Sequence, residues 1–371
     1  MGFMTAKRMR GLGLWDRYLT LWIFVAMTAG VCLGTLAPGA IRSLDTLSIG
    51  AMNVPIAIGL ILMLYAPLAK VDYSKMPAVF SNKRLLALSL LFNWVICPLF
   101  MFALARLTLA DRPSYMSGVI MIGLARCIAM VLVWNELAGG SGSYAAGLVA
   151  VNAVFQILLY APLAWLFLEV LVPLTGVEIP AASFSMGQVA HSVLVYLGVP
   201  FAAGALTRFA CIRFRSEEWF ESRAVPRISK VTPAALIFTI VVVFSMKGGM
   251  IARLPLDVLR IAAPLVVYFC VTFFVSAWSA HRFGAGYPYM ASVAFTATGN
   301  NFELAIAVAA ASFGLASGEA FAAVVGPLIE VPSLILLVDA SLALRRRWYG
   351  PEGAEEEDGV QGPVDIQGGA R

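Results

Sequence analysis

The chain has 371 residues, 60% of them hydrophobic and only 13% charged, with a mean hydropathy of +0.85 and a formal net charge of +5. A water-soluble fold cannot hide that much apolar surface, so a soluble enzyme or a soluble binding domain is excluded. The positive balance requires no nucleic-acid partner, because basic loops facing anionic lipid account for it.

In chain order, apolar runs of about 20 residues recur, each long enough as a helix to cross roughly 30 Å of hydrocarbon. They predict an all-α polytopic membrane protein with ten transmembrane helices, near 18–37, 47–69, 84–109, 114–137, 143–172, 186–211, 230–246, 257–280, 290–314 and 318–344. The first run follows Lys7, Arg8, Arg10 and Arg17, as a signal peptide would. It is too long for a cleaved apolar region, and nine more runs follow, so it is read as retained. Cytoplasmic loops carry the excess of Lys and Arg. With the N-terminus inside, 19 of the 26 basic residues fall on the cytoplasmic side, six on the other, and Arg126 within a span. Both termini are therefore expected in the cytoplasm, with the protein multi-pass in the plasma (cell inner) membrane.

The expected organisation is a cytoplasmic segment 1–17, a first five-helix repeat 18–172, an extracytoplasmic connector 173–185, a second five-helix repeat 186–344 and a disordered acidic cytoplasmic tail 345–371. Five crossings per repeat place the second repeat upside down relative to the first, the plan of many secondary transporters. No residue-by-residue repeat is apparent, so the symmetry rests on the count of spans. The five cysteines, Cys32, Cys97, Cys127, Cys211 and Cys270, are scattered singly. They suggest neither a disulfide framework nor a zinc site, and no cofactor is expected.

Three ionisable side chains fall near span centres: Arg126 in span four, Glu303 in span nine and Glu330 in span ten. An ionised group at that depth costs about 2.5–3.5 kcal/mol even on the lenient insertion scale, so each must face protein, water or a partner. Span nine reads FTATGNNFELAIAVA from Phe295, and Gly299, Asn300 and Asn301 are poor helix formers. An unwound backbone at mid-membrane is tolerated only where it lines a cavity or is buried in protein, and transporters place substrate sites at such breaks. Asn300, Asn301 and Thr298 can equally serve as bonds between helices. In span four, GLARCIAMVLVWNELA from Gly123, Arg126 could be locked to a carboxylate or a helix C-terminus, and Cys127 could pack as a small hydrophobe. A positive charge beside the thiol favours the thiolate, the form that binds soft metals and metalloids. Glu330 sits among Gly326, Pro327 and Pro332, as a partner for Arg126 or for freed backbone. Asn53, Asn93, Asn152 and Gln156 are weaker polar candidates, read mostly as interhelical bonds.

GLARCIAMVLVWNELA with the following YAAGLVAVNAVFQ, and FTATGNNFELAIAVA with GEAFAAVVGPLIEVP, resemble the arsenite efflux permeases of the Acr type, within the bile acid, arsenite and riboflavin transporter superfamily. The resemblance covers spans one to ten. It implies helices four and nine that are discontinuous and cross, and a required cysteine and glutamate that match Cys127 and Glu303. It also implies proton-coupled export of arsenite, while the sequence does not decide whether antimonite is carried too. Arsenite at neutral pH is mainly an uncharged trihydroxide with a soft centre. Asn300, Asn301, Glu303 and Arg126 would meet its hydroxyls and Cys127 the arsenic, with Glu303 or Glu330 carrying the proton. The chain has no G-x-x-x-x-G-K-[ST] loop for nucleotide and neither HExxH nor GxSxG, so a carrier and not an enzyme is expected. The alternative is a sodium-coupled organic-anion carrier of the same architecture.

Overall fold

The computed structural model describes residues 19–37, 39, 48–49, 52–71, 79–80, 82–128, 130–177, 186–246, 254–314 and 317–350. The basic segment 1–17, the acidic tail from 351 and residues 178–185 of the connector lie outside them. The described residues are almost wholly helical: α1 (Leu19–Leu36), α2 (Val54–Lys70), α3 (Lys83–Leu109), α4a (Pro113–Leu124), α4b (Met130–Leu137), α5 (Gly142–Leu174), α6 (Met186–Phe214), α7 (Val231–Met246), α8 (Leu254–Arg282), α9a (Tyr287–Thr298), α9b (Phe302–Phe313) and α10 (Gly318–Trp348). Helices α3, α5, α6, α8 and α10 are each long and apolar enough to cross a membrane in one piece, which makes this a multi-pass membrane protein.

Helix starts follow ordinary capping chemistry. Asn82, Ser141 and Ser317 accept the backbone N–H three residues on, at 3.1, 3.3 and 3.0 Å, to open α3, α5 and α10. Proline occupies the first turn of α4a and α9a, where its missing N–H costs nothing. The second apolar run departs from expectation. Its helix begins at Val54 and not near 47, because Ser48–Ile49 pairs antiparallel with Met52–Asn53 just before Pro55. Asn53 therefore precedes α2, and its side chain lies outside the described atoms.

Proline also shapes the long helices. Wide π-turns occupy Phe92–Ile96, Leu166–Leu171, Leu194–Gly198 and Phe220–Ala224, and each is followed two residues later by a proline: Pro98, Pro173, Pro200 and Pro226. A proline inside a helix cannot donate, and its ring presses on the carbonyl one turn back. Widening that turn lets the helix continue without a break. In α3 the π-turn contains Asn93 and Trp94, and Cys97 follows it directly.

The helices form two groups. In the first, α1 packs on α7, α2 on α7, and the second half of α6 on α2; the second consists of α3, α4, α5, α8, α9 and α10. Glycines set the closest approaches in both. Gly30 and Gly34 of α1 lie against the Val241 and Ser245 carbonyls of α7; a Cβ on Gly30 would stand 2.5 Å from Val241 O. Gly204 of α6 meets the backbone of α2, with a Cβ there 2.7 Å from Ala69 N. In the second group Gly118 of α4a meets the α10 backbone, a Cβ falling 2.7 Å from Glu319 O. Contact between the groups runs mainly through the start of α6 against α5 and α9b, where the Gln188 side chain donates to Ala311 O at 3.1 Å. Residues 217–228 form a short connecting helix between α6 and α7; Glu217 and Glu221 each accept from Arg208 at 3.2 Å, and Phe220 lies under its guanidinium.

Gly34→Leu is expected to destabilise the fold by about 1–3 kcal/mol, since a side chain there must displace backbone. Thermal melts in detergent check this against Gly142→Ala, where a Cβ meets nothing within 4 Å.

Candidate functional site

Helices α4 and α9 break at the same place in space. Ala125 turns extended (φ −91°, ψ 119°), as does Gly299 (φ −71°, ψ 143°), and the two unwound segments run antiparallel past one another. The Cys127 N–H donates to Gly299 O at 3.2 Å and the Asn301 N–H to Ala125 O at 3.0 Å, which pairs Arg126 with Asn300 as in a two-stranded sheet. Gly299 has an ordinary negative φ, so its need is for space and not for backbone freedom. A Cβ there would stand 2.9 Å from Cys127 Cβ. Inside a membrane every backbone polar group of a broken helix needs a protein partner, and the crossing supplies them reciprocally.

The remaining groups are met by side chains. The Arg126 N–H donates to Gln156 Oε1 from α5, and the Asn300 N–H to Glu330 Oε1 from α10 at 3.2 Å. Asn300 Nδ2 donates to Ile122 O at 2.8 Å and Ala125 O at 3.1 Å, and Tyr160 donates to Met121 O at 3.1 Å, covering the open end of α4a. Asn301 Oδ1 caps α9b by accepting from the Leu304 N–H at 3.0 Å.

Arg126 is fully buried, and among the described residues no ion pair joins it to a carboxylate. Its guanidinium donates to Gly123 O at the end of α4a, to Ala297 O at the end of α9a (3.3 Å) and to Tyr268 OH (3.0 Å). Each helix C-terminus carries about half a negative charge, so two converging C-termini balance the cation without an acid. Of the partners open to Arg126 in the sequence, the helix end is the one the fold uses. The guanidinium also reaches the Cys97 thiol, which donates to the same Ala297 carbonyl at 3.5 Å. The positive charge that the sequence places next to Cys127 thus lies against the thiol of Cys97.

The crossing brings together Arg126, Cys127, Asn300, Asn301 and Glu330, all buried. Glu303 stands in the first turn of α9b, where an acid is favoured by the helix N-terminus, and it bears electrostatically on Glu330. It is partly exposed, and among the described residues no other side chain bonds its carboxylate. Asn152 accepts from Trp94 Nε1 at 3.2 Å and lies one helical turn from Gln156; Asn93 donates to Ser89 at 3.3 Å within α3. Thr298 uses its hydroxyl on Ala294 O of its own helix at 2.7 Å, so it caps nothing at the crossing. Asn53 belongs to the short hairpin before α2.

Cys97 and Tyr268 were not singled out by sequence, and Gln156 only as a helix-to-helix bond. A polar tip on a mid-span aromatic, and a thiol next to a proline-driven π-turn, are the signals that mark them. Among the buried polar atoms around the crossing, Asn300 Oδ1, Asn301 Nδ2, Asn152 Nδ2, Gln156 Nε2 and Arg126 Nε have no protein partner. The arrangement therefore offers a thiol, unmet amide donors and acceptors, and two carboxylates, which suits a small neutral hydroxylated molecule.

Residues 57–254 match the model of the Sodium Bile acid symporter family. The arsenical-resistance protein Acr3 of Corynebacterium glutamicum is 44% identical over 337 residues, covering 91% of this chain and 90% of that protein. An uncharacterised transporter of Synechocystis is 34% identical over 350 residues, 88% of each chain. The Acr3 arsenical-resistance protein of Alkaliphilus metalliredigens is 29% identical over 359 residues, 94% of this chain and 97% of that one.

Proposed function

We propose, from the premise that the chain belongs to the sodium bile acid symporter family and to its Acr3 arsenical-resistance type, that it exports arsenite from the cytoplasm in exchange for protons, with antimonite as a second cargo. The observation that carries the reading is the crossing of α4 and α9, which sets Cys127 against Gly299 among unmet amide groups. Asn300 Oδ1 would accept from an arsenite hydroxyl, and Asn301 Nδ2 and Gln156 Nε2 would donate to hydroxyl oxygens. Cys127 supplies one soft ligand, and a single sulfur keeps binding weak enough for release.

Glu303, partly exposed at the start of α9b, and Glu330, bonded to the crossing, are the carboxylates that would carry the proton. One entering proton yields about 2.3 kcal/mol per 100 mV, and at about 1.4 kcal/mol per tenfold this sustains roughly a fortyfold gradient of neutral cargo.

The architecture proposed is ten crossings in two inverted repeats, in the plasma membrane with both termini cytoplasmic. One constant shift in numbering supports the repeats: it carries Pro113 onto Tyr287 and Leu124 onto Thr298, the two ends of α4a and α9a, and also Arg126 onto Asn300.

Arsenite flux in proteoliposomes under separately imposed proton and sodium gradients tests the coupling. Proton-driven flux without sodium is expected; flux that follows sodium alone would replace this reading with the sodium-coupled organic-anion carrier. Cys127→Ala is expected to lower arsenite flux at least tenfold, on the scale of about 1.4 kcal/mol for each tenfold in affinity. Flux at the parental rate would remove the thiol from the site.

A further inference from the structure

The acceptors that hold the two crossing segments are equivalent by position and unlike in chemistry. Gln156 accepts the Arg126 N–H and Glu330 accepts the Asn300 N–H, each acceptor lying 30 residues after its donor, and Arg126 and Asn300 are themselves paired across the bridge. The shift that superposes α4a on α9a also carries Gln156 onto Glu330. Both side chains are buried, Gln156 fully and Glu330 to 4% exposure, and each spends one Oε1 on a peptide N–H of the break 30 residues before it.

A glutamine amide oxygen and a carboxylate oxygen do this job alike, as does the carbonyl oxygen of a protonated carboxyl. The structure therefore requires an acceptor at both places and a charge at neither. Gln156 meets the requirement with a group that cannot titrate. The ionisable carboxyl at the twin position is surplus to the fold, in an environment where burying a charge is costly.

We propose that Gln156 and Glu330 are twin positioning residues for the crossing, and that the difference between them confines proton sensitivity of the crossing to the second repeat. This rests on the proton-antiport reading above. Among the described titratable groups, Glu303 of α9b is the one that bears on Glu330; Arg126 directs its guanidinium to Tyr268, Cys97 and the carbonyls of Gly123 and Ala297, and Gln156 meets the Arg126 backbone. Protonation of Glu330 leaves the bond to Asn300 in place through its carbonyl oxygen and removes the charge that Glu303 opposes. Binding of a proton at Glu330 then changes the charge beside the Asn300 peptide group without breaking the bond that positions it.

Three variants of the full-length protein test this: Glu330→Gln, Gln156→Glu, and the swap Gln156→Glu/Glu330→Gln. Each is measured for thermal stability, for arsenite counterflow without any gradient, and for the pH dependence of proton-driven flux. Glu330→Gln is expected to melt within about 3 °C of the parent and to lose at least about tenfold of proton-driven flux. The swap is expected to regain a pH-dependent flux. A Glu330→Gln protein that fails to fold, or one that keeps the parental pH profile, overturns the proposal, and so does a swap that folds and stays insensitive to pH. Gln156→Ala and Glu330→Ala, which remove the acceptors, are expected to melt lower than the glutamine and glutamate variants; equal melting overturns the positioning role. If the parent exchanges arsenite but ignores an imposed proton gradient, the antiport reading falls, while melting still judges the twin acceptors.

Discussion

Arg126→Met is expected to reduce arsenite flux to background while lowering thermal stability. The guanidinium ties the ends of α4a and α9a together through Gly123 O and Ala297 O, and it holds Tyr268 at 3.0 Å. Methionine fills the space but donates nothing, and each buried acceptor left unmet costs about 1–3 kcal/mol. Two like-charged helix ends would then face one another without a cation between them. Arg126→Lys keeps the charge and loses the planar fork, so it is expected to recover part of the stability and less than about a tenth of the flux. Flux in everted vesicles and melts in detergent measure the two effects separately. Parental flux in the methionine variant would show that the cation has no part in transport.

A second large effect is expected at Gly299. Here the demand is steric: the crossing strands touch so closely that a Cβ would stand 2.9 Å from Cys127 Cβ and 3.6 Å from its sulfur. Gly299→Ala must push Cys127 by a few tenths of an ångström, and Gly299→Val must part the strands and break the bond from the Cys127 N–H to Gly299 O. Overpacking of this kind costs about 1–3 kcal/mol. Because that strain falls on the bridge, flux should drop stepwise from glycine to alanine to valine, with valine inactive even where folded protein is recovered. Size-exclusion profiles establish folding and vesicle flux gives the series. A valine variant with parental flux would mean that the bridge can open at no cost to transport.

The helices and the break in α9 could be located from the sequence because they depend on residue type: apolar runs of sufficient length, and Gly299, Asn300 and Asn301 in succession where nothing favours a helix. Hydropathy could not place the start of α2, since the hairpin residues Ile49 and Met52 are as apolar as the helix that follows. The break in α4 has no comparable local signature and was implied only by resemblance. Ala125 and Cys127 are unremarkable in a helix, and it is the opposing strand from α9 that holds them extended. The partners of Arg126 were hidden for a different reason. Carbonyls at helix ends are present in every sequence and marked in none, so a search for a balancing acid overlooks them. Cys97, Tyr268 and Gln156 reach the site from three other helices, and only tertiary packing brings them to one cation and one peptide. Glu330 was legible as an ionisable group out of place, but its bond to the Asn300 N–H was not.

The close-packed glycines have a consequence for motion. Those of α1 and α6 lie against helices within the first group, and those of α4a and α10, with Gly299 at the crossing, lie against elements within the second; among the described residues none seats a helix of one group on the other. Backbone-to-backbone contact resists sliding, because any shift drives main chain into main chain, whereas side chains can change rotamer as they pass. Between the groups a flexible amide, Gln188 on Ala311 O, makes a polar contact. The closest glycine contacts thus lie inside each group and not on the boundary between them, and the crossing of α4 and α9 belongs wholly to one group. In a carrier that works by rocking one group against the other, such a site would be opened first to one side and then to the other without being taken apart.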